Sequence, residues 1–151
     1  MIFCCRKLGS MSVFVGMLFI AGFCYAQGIE SEAAAHNNRG IDYYHQGNYD
    51  QAISEYTKAI QLNPNYAMAY ANRGAVYHAK GYGEQAISDF TKALDINPTN
   101  PHTYFNRALS YSLQRNYDQA IADYTMAIRL DSRIAQFYNA RAFPYFHKGK
   151  Y

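Results

Sequence analysis

At 151 residues the chain has room for one domain or one small array with a modest core. Half of its residues are hydrophobic, too many for a disordered chain, and its three cysteines, Cys4, Cys5 and Cys24, all fall within the first 26 positions. The formal charge of +3 nearly vanishes once Arg6 and Lys7 are set aside, leaving 12 basic against 11 acidic residues, which excludes the electrostatic footprint of a nucleic-acid binder.

The chain opens on an address. Arg6 and Lys7 form a basic head, residues 12–23 (SVFVGMLFIAGF) an apolar core, and Cys24-Tyr25-Ala26 a small-x-small end. That order is the pattern of a secretory signal peptide cleaved after Ala26. The apolar core is shorter than the span of about 20 residues that a bilayer requires. Phe23 before Cys24 argues against lipidation, and an uncleaved anchor is the remaining alternative. The expected location is therefore exported, periplasmic or secreted. Beyond residue 26 there is no cysteine, so neither a disulfide framework nor a thiolate metal site is available.

The rest is organised by a 34-residue period. Asn38-Arg39-Gly40, Asn72-Arg73-Gly74 and Asn106-Arg107-Ala108 keep this step. So do Gln51-Ala52-Ile53, Gln85-Ala86-Ile87 and Gln119-Ala120-Ile121, and the pairs Asn63-Pro64 and Asn97-Pro98. Three units span 33–66, 67–100 and 101–134, and a partial fourth spans 135–151. In the first half of each, His36/Gly40/Tyr43, Tyr70/Gly74/Tyr77 and Tyr104/Ala108/Tyr111 recur at i, i+4 and i+7. In the second half Ala52/Tyr56/Ala59, Ala86/Phe90/Ala93 and Ala120/Tyr124/Ala127 do the same. That spacing predicts two amphipathic helices per unit. Gly47 and Gly81 supply the left-handed residue at the end of the first, and Pro64 and Pro98 terminate the second. The small residues let backbones approach, the aromatics fill the gaps, and no unit buries both faces alone, so the units must stack.

These residues resemble the signature of the tetratricopeptide repeat over 33–151, in the manner of a bacterial exported member. The resemblance implies an all-α, right-handed superhelical solenoid of antiparallel helix pairs, with a concave groove lined by the first helix of each pair. It also implies a protein-binding scaffold and no enzymatic activity. The implied groove positions are Asn37, Asn38, Ile41, Tyr44 and His45 in unit one, and Ala71, Asn72, Ala75 and His78 in unit two. Unit three adds His102, Phe105, Asn106, Leu109 and Ser112, and unit four Asn139. The asparagine row offers donors and acceptors to a peptide backbone, or else bridges adjacent helices. The family's clamp for acidic chaperone C-termini uses lysine and asparagine where this chain has Asn37 and Ile41, an asparagine that Asn72 matches, and lysine and arginine where it has His102 and Asn106, so a largely uncharged segment is the expected ligand.

Four departures carry further expectations. Arg39, Arg73, Arg107 and Arg141 stand where the family usually has a hydrophobic residue, and Glu55, Asp89 and Asp123 recur at the same step. A ladder of ion pairs between facing helices follows, with Asp123 the only carboxylate left for Arg141. Arg115 replaces the glycine of the turn, so Asn116 is expected to take the left-handed conformation. Gly83 in place of an aromatic predicts a loose start for the second helix of unit two. Pro144 falls inside the last helix, at a cost of about 3 kcal/mol in a helix interior. That helix reads either as a terminal cap or as the first half of a truncated unit.

Catalysis has no footing. The histidines His36, His45, His78, His102 and His147 show no metal-ligand spacing, and no phosphate-cradling loop or nucleophile elbow occurs. No cofactor, metal, small-molecule substrate or nucleic acid is expected. Two functions are left: an adaptor of the cell envelope that holds a partner protein or peptide in its groove, or a structural protein that self-associates through Phe143, Tyr145 and Phe146 at the open end.

Overall fold

The computed structural model describes residues 13–149, with side chains from Gly28 onward except Ile29. It contains seven α-helices and, among the described residues, no strand: α1 (Val13–His45), α2 (Tyr49–Leu62), α3 (Ala67–Ala79), α4 (Gly83–Ile96), α5 (Pro101–Leu113), α6 (Tyr117–Leu130) and α7 (Ala135–His147). The export signal expected over 1–26 lies outside the described residues as far as Ser12, and from Val13 its positions belong to α1, which runs unbroken into the first repeat. Among the described residues no helix is long and apolar enough to cross a membrane.

Each odd-numbered helix packs antiparallel on the even-numbered helix that follows it, and each pair stacks on the next. The odd-numbered helices also touch one another, α1 with α3, α3 with α5 and α5 with α7, whereas among the described residues the even-numbered ones do not. A stack whose one row is in contact and whose other row is splayed must curve. The odd helices are therefore the inner, concave row.

The seams follow the small-to-large pattern of the sequence. Ala52, Ala59, Ala86, Ala120 and Ala127 are fully buried, and Tyr56, Phe90 and Tyr124 are the large side chains buried against them. Burial pushes the Tyr56 phenol up to about 12. Gly40 and Gly74 lie flat against the Tyr56 and Phe90 rings. Tyr43, Tyr77 and Tyr111, expected as further core knobs, are only half-buried.

The turns inside the pairs share one geometry. Asn48 N donates to Tyr43 O at 2.9 Å, Tyr82 N to Tyr77 O at 2.8 Å and Asn116 N to Tyr111 O at 2.9 Å, closing a Schellman-type helix end. The left-handed residue is Gly47 and Gly81 in two of these turns and Arg115 itself (φ 61°) in the third, and Gly149 takes the same conformation after α7. Asn116 is not left-handed (φ −81°), because it must serve as the N-cap of α6. A left-handed non-glycine residue costs roughly 1–2 kcal/mol, offset partly by glycine's greater unfolded-state entropy. Arg115→Gly is therefore expected to stabilise by about 0.5–1 kcal/mol in a urea titration, provided the guanidinium makes no compensating contact.

Gly83 does not loosen α4, which matches α2 and α6 at 14 residues. Ala86 N donates to Tyr82 O at 3.0 Å, closing the first turn as Ala52 N to Asn48 O does in α2. The Gln114 amide covers the space over the glycine, where an added Cβ would lie 2.9 Å from Gln114 Nε2. Pro144 likewise leaves α7 helical. It sits one turn from the helix end, so a single backbone bond is lost, and its ring is buried at the position Val76 and Ser110 hold in earlier units.

The arginine ladder forms. Arg73 holds Asp89 through Nε and Nη2 at 2.8 and 2.8 Å, and Arg107 holds Asp123 through the same atoms at 2.7 and 2.8 Å. Each also donates from Nη1 to a threonine of the preceding pair, Thr57 at 3.0 Å and Thr91 at 3.1 Å. Two tyrosines flank each guanidinium at 5.7–5.9 Å, Tyr70 and Tyr77 in one case and Tyr104 and Tyr111 in the other. Arg141 departs from expectation: it donates to Thr125 at 3.3 Å and does not reach Asp123, whose two oxygens Arg107 already occupies.

At the other end Glu55 meets Lys58 at 2.6 Å, His36 Nδ1 at 2.7 Å and Arg39 at 3.0 Å. Burial alone would raise its carboxyl, but the hydrogen bonds from Lys58, His36 and Arg39 outweigh it and hold it at about 2. A depressed folded value means that stability is present above the unfolded carboxylate range and lost as pH falls toward 2. Denaturation midpoints are expected to fall between about pH 5 and pH 2, and Glu55→Gln to remove on the order of 1 kcal/mol of that dependence, given the solvent access of its partners.

Candidate functional site

The concave row carries a cleft of about 650 Å³ over the last three odd helices. Its apolar walls are Leu109 and Leu113 of α5 and Ala140 and Phe143 of α7, with Tyr117 and Tyr124 of α6 behind them. His147 stacks on Tyr117 (5.5 Å between centroids, 13° between planes) and meets Phe143 at 4.4 Å. Arg115, with its left-handed backbone, brings a formal positive charge to the lining.

Two polar groups define the cleft's chemistry. His78 reaches in from α3, with Nδ1 at 2.9 Å from Ser110 Oγ, and Ser110 Oγ donates its proton to the Asn106 carbonyl at 3.2 Å. Burial lowers the His78 pKa from its ordinary value, which keeps the ring neutral at pH 7. Ser112 Oγ is buried with no well-formed hydrogen bond among the described residues. Across the floor, burial pushes the Tyr124 phenol up, while its proximity to Ser112 acts the other way. An aromatic box with an imidazole, a hydroxyl and a guanidinium in its lining can hold an apolar side chain together with the polar backbone beside it.

Of the expected groove residues, His78, Leu109 and Ser112 line this cleft. Asn38, His45, His102 and Asn139 are exposed on the odd helices, and Ile41, Ala75 and Asn106 are half-buried there. Tyr44 packs on Tyr49 at 5.7 Å, and His102 packs edge-on against Phe137 at 5.7 Å. Asn37 and Phe105 are different. Asn37 is 1% exposed and accepts from Asn72 Nδ2 at 2.9 Å, so in this pair the asparagines bridge adjacent helices. Phe105 is 7% exposed, wedged between Tyr124 and Phe137 in the core. His45 and His78 do not pair, since His78 is taken by Ser110.

The sequence reading missed Leu113, Arg115, Tyr117, Ala140 and His147 as cleft residues. It assigned Phe143 to the open end alone, and Phe143, 53% exposed, also lines the cleft. Stepping 34 residues from Leu109 would have found Phe143, and from Asn106 would have found Ala140. Tyr117 carried no such signal: the same position is Gly83 one unit earlier, where the Gln114 side chain lies instead.

Sequence patterns described as TPR repeat and tetratricopeptide repeat match residues 40–81, 67–100 and 101–133. Among solved structures, an Arabidopsis OM64 TPR domain is similar at 27% identity and a TM-score of 0.77, over 79% of this chain and 98% of that one. The first TPR of Spaghetti (RPAP3), bound to the HSP90 peptide SRMEEVD, is similar at 23% identity and a TM-score of 0.79, over 80% and 96%. The TPR2B domain of yeast Sti1, in complex with pHsp70, is similar at 20% identity and a TM-score of 0.74, over 78% and 98%. No curated protein matches the chain.

Proposed function

Because the chain belongs to the tetratricopeptide repeat family over residues 40–133, we propose that it is a non-enzymatic scaffold that holds a peptide segment of a partner protein on its concave face. The cleft of about 650 Å³ between α3, α5, α6 and α7 is the observation that carries this reading. Its walls suit an aliphatic or aromatic side chain, while the His78 ring and the Ser112 hydroxyl offer polar groups to the peptide backbone beside it. Two of the similar structures hold chaperone peptides, one of them ending in the acidic EEVD. Here Asn37, His102 and Asn106 stand where a clamp for such an end would place basic groups, which favours a largely uncharged segment.

Selection of binders from a random peptide library on the immobilised chain tests the reading. Winners are expected to share one bulky apolar residue in an otherwise uncharged segment, and to lose affinity at least about tenfold on Leu109→Asp or Phe143→Asp. Binders indifferent to both changes would refute it. Asn106→Ala is a cleaner probe of the asparagine row than Asn72→Ala, which strands the buried Asn37 amide.

The proposed setting is outside the cytoplasm, supported by the signal pattern of residues 1–26. N-terminal sequencing of protein recovered from an envelope fraction should begin at Gln27. A second reading, self-association through α7, draws on the exposure of Tyr138 and Phe146. Light scattering of the full chain checks it, and a monomer at all concentrations removes it.

A further inference from the structure

The turn between α5 and α6 is built differently from the others of its kind. Gly47 and Gly81 take the left-handed conformation in the two earlier turns, and Gly149 takes it after α7, so no side chain leaves the backbone at those points. At the same 34-residue step the α5–α6 turn has Arg115, at φ 61°, where a Cβ is disfavoured. Strain kept at one copy of a repeated turn points to what the side chain there does. Arg115 is also the turn residue whose side chain lines the cleft.

Among the described residues its guanidinium has no partner. Arg39, Arg73, Arg107 and Arg133 each hold a carboxylate. Arg73, Arg107 and Arg141 each lie between two tyrosine rings, 5.7–5.9 Å from the ring centres. Arg115 has neither kind of contact, and the cleft that it lines contains no aspartate or glutamate. An uncharged segment entering this cleft brings no carboxylate either. The group that complements a guanidinium without carrying a charge is the face of an aromatic ring, which is negative over its centre. A planar, weakly hydrated guanidinium stacks on such a face more readily than an ammonium group does.

We infer that the apolar residue taken by the cleft is aromatic, with its ring face stacked on the Arg115 guanidinium, and that Arg115 selects it over an aliphatic side chain. The inference rests on the reading of the cleft as a peptide site and narrows that reading. Leu109, Leu113 and Phe143 favour any bulky apolar group by burying it, whereas Arg115 favours only a group with a π-face. The same division of roles accounts for the backbone strain. Glycine at position 115 relieves it, as in the other turns, but removes the selecting group.

The probes are three acetylated, amidated peptides built on a binder selected from the library, carrying phenylalanine, cyclohexylalanine or pentafluorophenylalanine at the anchor position. Their side chains are close in outline, but the saturated ring has no π-face and fluorination inverts the quadrupole. Burial alone ranks the saturated ring at least equal to phenylalanine, so the expected order runs against it. The phenylalanine peptide should bind the parent chain at least about threefold tighter than either analogue in a fluorescence anisotropy titration. In the Arg115→Gly chain that preference should disappear, closing a double-mutant cycle, and a urea titration should show this chain no less stable than the parent. A library without Leu109→Asp-sensitive binders would overturn both this inference and the peptide-site reading. Cleft-dependent binders with an aliphatic anchor, equal affinity of the three probes for the parent chain, or a preference that survives in Arg115→Gly would overturn this inference alone.

Discussion

Replacing Arg73 by alanine is expected to destabilise the protein by about 2–4 kcal/mol, whereas the same change at Arg141 should cost no more than about 0.5 kcal/mol. The two arginines share their threonine and tyrosine contacts and differ in the carboxylate. Asp89 is 6% exposed, so removing Arg73 strands a desolvated charge between α3 and α4. That unpaired burial, more than the lost attraction, sets the magnitude. The carboxylate's way out is to take up a proton, so the Arg73→Ala variant should regain part of its stability as pH falls toward 5, opposite in sign to the Glu55 dependence. Arg73→Lys should recover only part of the loss, since an ammonium group cannot span both oxygens and Thr57 at once. The double variant Arg73→Met, Asp89→Leu should be near neutral, because no buried charge is left. Urea denaturation at pH 7 and pH 5 measures all four chains. Equal losses at Arg73 and Arg141 would show that the tyrosine and threonine contacts carry the ladder instead.

Much of this was legible in the sequence, and the limits have physical causes. The 34-residue period located every described helix from α2 to α7, because the alternation of small and large residues dictates how closely two backbones approach. The ion-pair ladder was legible for the same reason, each arginine and its acid keeping one step. What escaped were choices between neighbouring residues and between faces. Arg115 accepts the left-handed conformation because Asn116 is required one step later as a helix cap, a conflict that residue preferences alone do not settle. Phe143 read as an exposed end residue and is 53% exposed, yet its helix position matches Leu109 and lets it line the cleft as well. The cleft itself depends on Tyr117 of a second helix reaching across to His147, a contact between units that no repeat position predicts. Asn37 and Phe105 shared the groove pattern but were drawn inward, one by the Asn72 amide and the other by a gap beside Phe137.

Gly40→Ala is expected to destabilise by about 1–2 kcal/mol, although alanine is the better helix former by about 1 kcal/mol. The added Cβ would lie 2.6, 2.7 and 2.9 Å from three atoms of the Tyr56 ring. That ring is 2% exposed and cannot swing aside, so either α1 and α2 separate or the ring leaves its rotamer. Gly74→Ala poses the same question with a looser geometry, 3.0 and 3.1 Å to the Phe90 ring and 3.3 Å to the Ala86 carbonyl. A shift of a few tenths of an ångström accommodates it, and the helix-propensity gain then cancels the strain, leaving a change within about 0.5 kcal/mol of zero. Ala108 already stands at this position, packed with Tyr124 in the core of the third pair, which shows that the seam can be built around a methyl group when the helices are set for it. The contrast is the test, because propensity alone predicts that both glycine variants melt higher than the parent. Lower melting for Gly40→Ala with no change for Gly74→Ala would show that the α1–α2 seam is packed to the limit of close approach.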